Sequence, residues 1–159
     1  MSKNMEKINK YLLDTNFFNH VLDDLTNLDH FTNHKLFVTH IQLDEIKQTS
    51  CVDRREQLLS RFQTIDAESI PTNAAVWGVS NWNEAKWGDA NGLYEKLLSR
   101  IQNLDKASGK KKRPENQSRD ALIAATAISE NFVLITNDHN LTIAAEEFHC
   151  TVIDPKNIE

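Results

Sequence analysis

Asp120-Ala121-Leu122-Ile123-Ala124-Ala125-Thr126-Ala127-Ile128-Ser129-Glu130-Asn131-Phe132-Val133-Leu134-Ile135-Thr136-Asn137-Asp138 holds a helix, a stop signal and a strand in one unbroken stretch. Ser118 is placed to cap a helix over 119–130, and Asn131 suits the left-handed residue that ends one. The apolar run 132–136 is short and shows no alternation, as expected of a strand buried on both faces. A helix feeding directly into such a strand is half of a βαβ unit.

The same alternation extends in both directions. Downstream, the pattern predicts a helix over 140–148 and a last strand over 150–153. Upstream, a strand over 11–14 is followed by a helix over 16–25 that turns Phe17, Val21 and Leu22 inward. A second strand over 36–39 leads into a helix through Lys47, opened by Thr39 and Gln42 as a capping box. A helix over 53–65 carries the stripe Leu58, Leu59 and Phe62, and a short third strand is expected around 69–71. Residues 73–105 read as helical, most clearly over 93–101, and 108–117 as a polar loop. The expected fold class is therefore α/β: one domain over 1–159, a central parallel sheet of about four or five short strands flanked by helices, with 73–117 as a helical and loop insertion.

All strands of a parallel sheet end at one edge, and ligands bind in the crevice there. Asp14 ends the first strand, Asp138 closely follows 132–136, Glu45 comes soon after the second strand, and Asp120 opens its helix at that same edge. Each acid has an ordinary alternative. Asp14 and Asp138 could cap helices, Asp120 could favour a helix dipole, and Glu45 could be solvated like its neighbour Asp44. Convergence favours a site, because four carboxylates together repel one another unless a cation joins them. Mg²⁺ or Mn²⁺ suits all-oxygen ligands. Asp14 and Asp120 are the main candidate metal ligands, with Asp138 direct or through water. Glu45 completes the shell or orients the attacking water. Without metal, the crowded carboxylates should have raised pKa values.

Composition sets bounds on this reading. With 159 residues, 40% apolar content and a net charge of −5, the chain can build a sizeable core but has no overall basic footprint. Its four glycines form neither a Gly-x-Gly-x-x-Gly nor a Walker-type loop, so glycine-built phosphate cradles are excluded. Cys51 and Cys150 make no Cys-x-x-Cys pair, and the start Met1-Ser2-Lys3-Asn4 does not resemble a secretory leader. These features predict reduced thiols in the cytoplasm. The longest apolar stretch, 121–128, is too short to cross a bilayer, so no membrane role is expected.

Four segments together resemble the PIN-domain nucleases, and most closely the VapC-type toxins of bacterial toxin–antitoxin pairs. They are Leu12-Leu13-Asp14-Thr15-Asn16, Val38-Thr39-His40-Ile41-Gln42-Leu43-Asp44-Glu45-Ile46, Arg119-Asp120-Ala121-Leu122-Ile123-Ala124-Ala125-Thr126-Ala127 and Leu134-Ile135-Thr136-Asn137-Asp138. The resemblance runs through nearly the whole chain and is weakest over 73–117. It implies a Mg²⁺- or Mn²⁺-dependent ribonuclease with Asp14, Glu45, Asp120 and Asp138 as its acidic quartet. It also implies Thr15 and Asn16 as supports or substrate contacts, a cognate antitoxin or other inhibitory protein, and a homodimer. RNA is the implied substrate, with single-stranded DNA as the alternative.

The remaining features leave alternatives open. Lys111, Lys112 and Arg113 lie in a basic run that either steers a nucleic-acid backbone or is simply solvated, and Arg119 adjoins Asp120 as a phosphate contact. Trp77, Trp82 and Trp87 fit no single helical face and read as core or protomer packing, with base stacking as the alternative. His40 and His139 flank the expected site, whereas His30 and His34 lack further ligands for a metal pair. A second reading is a catalytically silent PIN-like module that binds RNA or a protein. A third, a haloacid-dehalogenase-type phosphatase, lacks its second Asp, since that position is Asn16.

Overall fold

The computed structural model describes residues 7–73 and 92–157. Within them lie strands β1 (Lys10–Leu13), β2 (Lys35–Val38), β3 (Glu68–Ser69), β4 (Val133–Ile135) and β5 (Val152–Ile153). Six α-helices alternate with these strands: α1 (Asn16–Leu22), α2 (His40–Lys47), α3 (Val52–Ile65), α4 (Leu93–Ala107), α5 (Pro114–Glu130) and α6 (His139–Glu147). The strands form one sheet in the order β3-β2-β1-β4-β5, and every pairing is parallel. The expected α/β architecture is present.

Strand periodicity explains where the core sits. Leu12 lies opposite Phe37 and Leu134, and these three face the layer that contains Leu97, Ile101, Leu122 and Leu141. Their neighbours Tyr11, Leu13, Val38 and Ile135 face the other way, onto Phe17, Phe18, Val21 and Leu58. Helices thus cover both faces, which is why β1 and β2 after their first residue, and all of β4, are apolar. Helix α5 packs against α4, α6 and β4, and Ala121 through Ala125 have no exposed surface. Small side chains there let the helices approach closely.

Several expected boundaries move, one with consequences for the site. Helix α5 begins at Pro114, not 119, after an extended Arg113. Proline fits the first helical position because its missing N–H would have no helical partner there. The polar loop therefore ends at 113, and Ser118 lies inside the helix. Asp120 sits well past the first turn, where the helix-dipole effect has faded. Helix α4 continues to Ala107, and α1 stops at Leu22, just before Asp24 at φ 55°. Strand β3 lies at Glu68–Ser69, slightly earlier than expected.

Other local readings hold. Thr39 and Gln42 form the capping box of α2, and Asn131 ends α5 at φ 58°. Cys51 and Cys150 are both free thiols. Trp77, Trp82 and Trp87 lie outside the described residues. Among the described residues, no helix is long and apolar enough to cross a membrane.

Candidate active site

Asp14 occupies the first position beyond β1, where its N–H continues the ladder to Ile135 O at 2.9 Å. That backbone bond aims its side chain over the C-terminal edge of the sheet. Asp14 Oδ1 accepts from Thr15 N at 2.7 Å. Its Oδ2 accepts from Thr136 Oγ1 at 2.7 Å and from Asn16 Nδ2 at 3.1 Å. The residue is only 6% exposed. Burial raises its pKa above the ordinary value despite the bonds from Thr136 and Thr15, and the charge of Asp138 pushes the same way. The alternative in which Asp14 merely caps a helix is not realised: α1 has Thr15 at its cap position and no side-chain cap bond.

Asp120 reaches the same edge from inside α5. Burial raises its pKa well above the usual value, and the charge of Asp14 adds to the effect. Asp138 follows β4 and has two local roles. It caps α6 by accepting from Leu141 N at 3.0 Å, and it accepts from Lys112 Nζ at 2.9 Å. Lys110 Nζ stands 3.4 Å from each of its oxygens. Burial opposes ionisation of Asp138, but the Leu141 N–H and the two lysines outweigh it and lower its pKa to about 2. Asp138 therefore departs from the expectation that all four acids are raised: a helix N–H and two cations compensate it.

Glu45 is held over the site by α2. Within that helix, Gln42 is fully buried and donates from Nε2 to Leu13 O at 2.7 Å, which fixes the helix against the end of β1. Glu45 Oε1 is buried without a hydrogen-bond partner. Burial, then the charge of Asp14, raises the pKa of Glu45 to about 7, against smaller opposing effects from Arg119, Thr15 and Lys112. Thr15 is near enough to influence Glu45, yet its Oγ1 makes no hydrogen bond of normal geometry. Glu45 is not a solvated helix residue. Asp44, expected to be solvated, faces His40 Nδ1 at 3.0 Å.

The structure thus groups Asp14, Glu45, Asp120 and Asp138 through their mutual charge effects, with Asp14 as the shared neighbour. The basic residues divide. Lys112 enters the group and bonds both Asp120 Oδ2 and Asp138 Oδ2. Burial disfavours its charge, but the two carboxylates hold its pKa above the ordinary value. Lys111 and Arg113 are exposed on the same loop. Arg119 is buried and donates from Nη1 to Gln48 Oε1 and Asn116 Oδ1, so it braces α2 against α5. His34 Nδ1 accepts from Asn9 N, and its ring packs against Tyr11.

Two site residues were not anticipated from the sequence. Thr136 is 1% exposed and bonds Asp14, while its Oγ1 also accepts from Asp138 N at 3.1 Å. A polar residue ending an apolar strand two places before an acid was its only signal. Gln42 was read as a capping residue, but its second bond, to Leu13 O, positions Glu45.

No protein-family model matches the chain, and none of the curated proteins matches it. Among solved structures, the chain is similar to a member of the VapBC family of toxin–antitoxin systems, VapBC-5 of Mycobacterium tuberculosis. Identity is 21%, coverage is 91% of this chain and 98% of that one, and the TM-score is 0.50. It is also similar to PAE2754 of Pyrobaculum aerophilum at 15% identity, covering 94% and 93% of the two chains, with a TM-score of 0.51. The chain has a PIN-like, VapC-like fold.

In this PIN-like fold the four acids are of the donor type that a hard divalent cation takes. All four donors are carboxylates, three of them with raised pKa values, and the buried Glu45 Oε1 has no donor facing it. As the side chains stand among the described residues, no three His, Cys, Asp or Glu groups are placed so that they could hold a metal ion. Lys112 stands against Asp120 and Asp138.

Proposed function

We propose that this chain is a divalent-metal-dependent endoribonuclease that hydrolyses RNA phosphodiester bonds, a toxin-like growth inhibitor controlled by a partner protein. The observation that carries the reading is the cluster at the sheet edge in which Asp14 repels both Glu45 and Asp120 and burial raises all three pKa values. A fold needs no such cluster for its own stability, and perturbed carboxylates gathered in one place are a signature of function. The PIN-like fold and the toxin–antitoxin membership of VapBC-5 support the toxin reading and a cognate antitoxin. A cytoplasmic homodimer built from one nuclease domain over 1–159 belongs to the same proposal, with single-stranded DNA as the alternative substrate.

Asp14 and Asp120 would hold Mg²⁺ or Mn²⁺, with Asp138 beside them. When bound, the cation supplies Lewis-acid activation of a water and of the phosphoryl group. Thr136, Asn16 and the Thr15 N–H orient Asp14 for that task. Glu45 has a pKa of about 7, which suits it to take a proton from the attacking water. Lys111 and Arg113, exposed on the loop that carries Lys112, are placed for contacts with the RNA backbone.

The test is cleavage mapping of cellular RNA with wild type and Asp14→Asn, each confirmed folded by circular dichroism. Loss of cleavage in the variant, and on adding EDTA to wild type, is expected. Persistent cleavage by Asp14→Asn would sink the assignment. The pairing of Lys112 with Asp120 and Asp138 favours a second reading, a silent module that binds RNA or protein. RNA binding without any Mn²⁺ binding in calorimetry would establish that reading instead.

A further inference from the structure

We infer that Lys112 is an internal competitor for the divalent cation, an ammonium resting on the same Asp120 and Asp138 oxygens that a metal ion must take. The inference rests on the metal-dependent reading above and adds a regulatory contact to it. Lys112 Nζ bonds Asp120 Oδ2 and, at 2.9 Å, Asp138 Oδ2. An ammonium and a divalent cation on the same carboxylates repel each other and compete for lone pairs. Metal loading therefore works against the lysine contact.

The loop is built so that it can leave without refolding. Residues 108–113 join α4 to α5, and their backbone is anchored at the α4 end. Lys110 N donates to Asp105 O at 2.9 Å, and Ser108 Oγ donates to Leu104 O at 2.9 Å. Asp105, 2% exposed, accepts from Gln117 Nε2 at 2.9 Å and from Asn140 Nδ2 at 2.8 Å, tying α4 to α5 and α6. Gly109 takes φ +71° with open space around it, and Pro114 starts α5. Main-chain position is thus set by the buried Asp105 network and not by the Lys112 ion pairs. The lysine stem is flexible and its side chain is 21% exposed, so the ammonium can swing to the rim. Lys110 reaches Asp138 only, with a side chain that is 45% exposed. Lys112 alone among the described lysines bridges two acids of the cluster.

Two measurements on the full chain test this. Isothermal calorimetry with Mn²⁺ compares wild type, Lys112→Met, Lys112→Gln and the loop control Lys111→Met, each checked for folding by thermal melting. Both Lys112 variants should bind Mn²⁺ more tightly by about 10- to 100-fold, the span seen when groups around metal ligands change. Lys111→Met should match wild type. In wild type, labelling with an amine-reactive ester followed by mass spectrometry should show Lys112 protected in EDTA and exposed by saturating Mn²⁺ at the same pH. Equal or weaker Mn²⁺ binding in both Lys112 variants, or labelling of Lys112 that ignores bound Mn²⁺, overturns the competitor role and leaves the nuclease reading standing. No Mn²⁺ binding in any form overturns both.

Discussion

Two halves of the acidic crevice solve the same electrostatic problem in opposite ways. Around Asp14, Glu45 and Asp120, burial and mutual repulsion raise the pKa values. Around Asp138, the Leu141 N–H, Lys112 and Lys110 hold the carboxylate ionised, with a pKa of about 2. Both halves lie at the C-terminal edge of one parallel sheet, so topology does not separate them. What separates them is local: Asp138 starts a helix and meets a lysine-bearing loop, whereas Asp14 meets mainly neutral hydroxyl and amide donors. In the first half burial and repulsion press the carboxylates toward the neutral form, and the Lys112 contact with Asp120 does not reverse this. The second is already compensated by the protein.

The sharpest way to break this division is to compare Asp120→Asn with Asp138→Asn in RNA cleavage. Asp120→Asn should lose more than the roughly 100-fold that changes outside the direct ligands cost, and Asp138→Asn should fall within that range. Equal losses would erase the distinction between the halves.

A stability measurement follows. Glu45 has a folded pKa of about 7 against an ordinary 4.5, so the native state binds more protons between those values. Stability of the metal-free protein should therefore fall as pH rises from about 4.5 to 7. The Glu45 share of the loss should be on the order of 3 kcal/mol, and Glu45→Gln should remove that share while leaving what Asp14 and Asp120 contribute with the same sign. Urea titrations at pH 5 and pH 8 measure both, and an unchanged slope in Glu45→Gln would assign the effect elsewhere.

Asp138 has the opposite sign. Its folded pKa of about 2 lies below 3.8, so its contribution is complete above pH 3.8 and is lost as pH falls through 2. Asp138→Asn retains a capping side chain but not the charge, so it should reduce the acid-induced loss by roughly 2 kcal/mol in melts between pH 4 and pH 2. The smallest expected effect is that of Thr136→Val. It removes the donor to Asp14 Oδ2 and should cost about 1–2 kcal/mol at neutral pH. A neutral result in denaturant titration would mean that Asn16 and Thr15 suffice to hold Asp14.

Much of the frame was readable in the chain because its signals are local. Apolar runs at 11–13 and 133–135, the Thr39–Gln42 capping box and the Asn131 stop all act within a few residues, and the structure keeps them. Pro114 is an equally local signal for the start of α5, as Ser118 is for a cap four residues later. With α5 starting at Pro114, Asp120 lies deep in the helix, where the helix dipole does not account for it. Thr136 and Asp14 are 122 positions apart, so their bond has no sequence signature. Strand β3, two exposed residues long, carries almost no apolar pattern.

By itself the sequence determined which edge would collect the acids, because parallel strands ending in or near acids must present them on the same side. It could not decide their charge states, nor which of Lys110, Lys111 and Lys112 would enter the cluster. Those depend on burial and on approach within a few ångströms. Only the packing of α4, α5 and α6 around the Asp105 network brings that loop over Asp120 and Asp138. Charge interactions fall with distance and strengthen with burial, and both are properties of the folded chain.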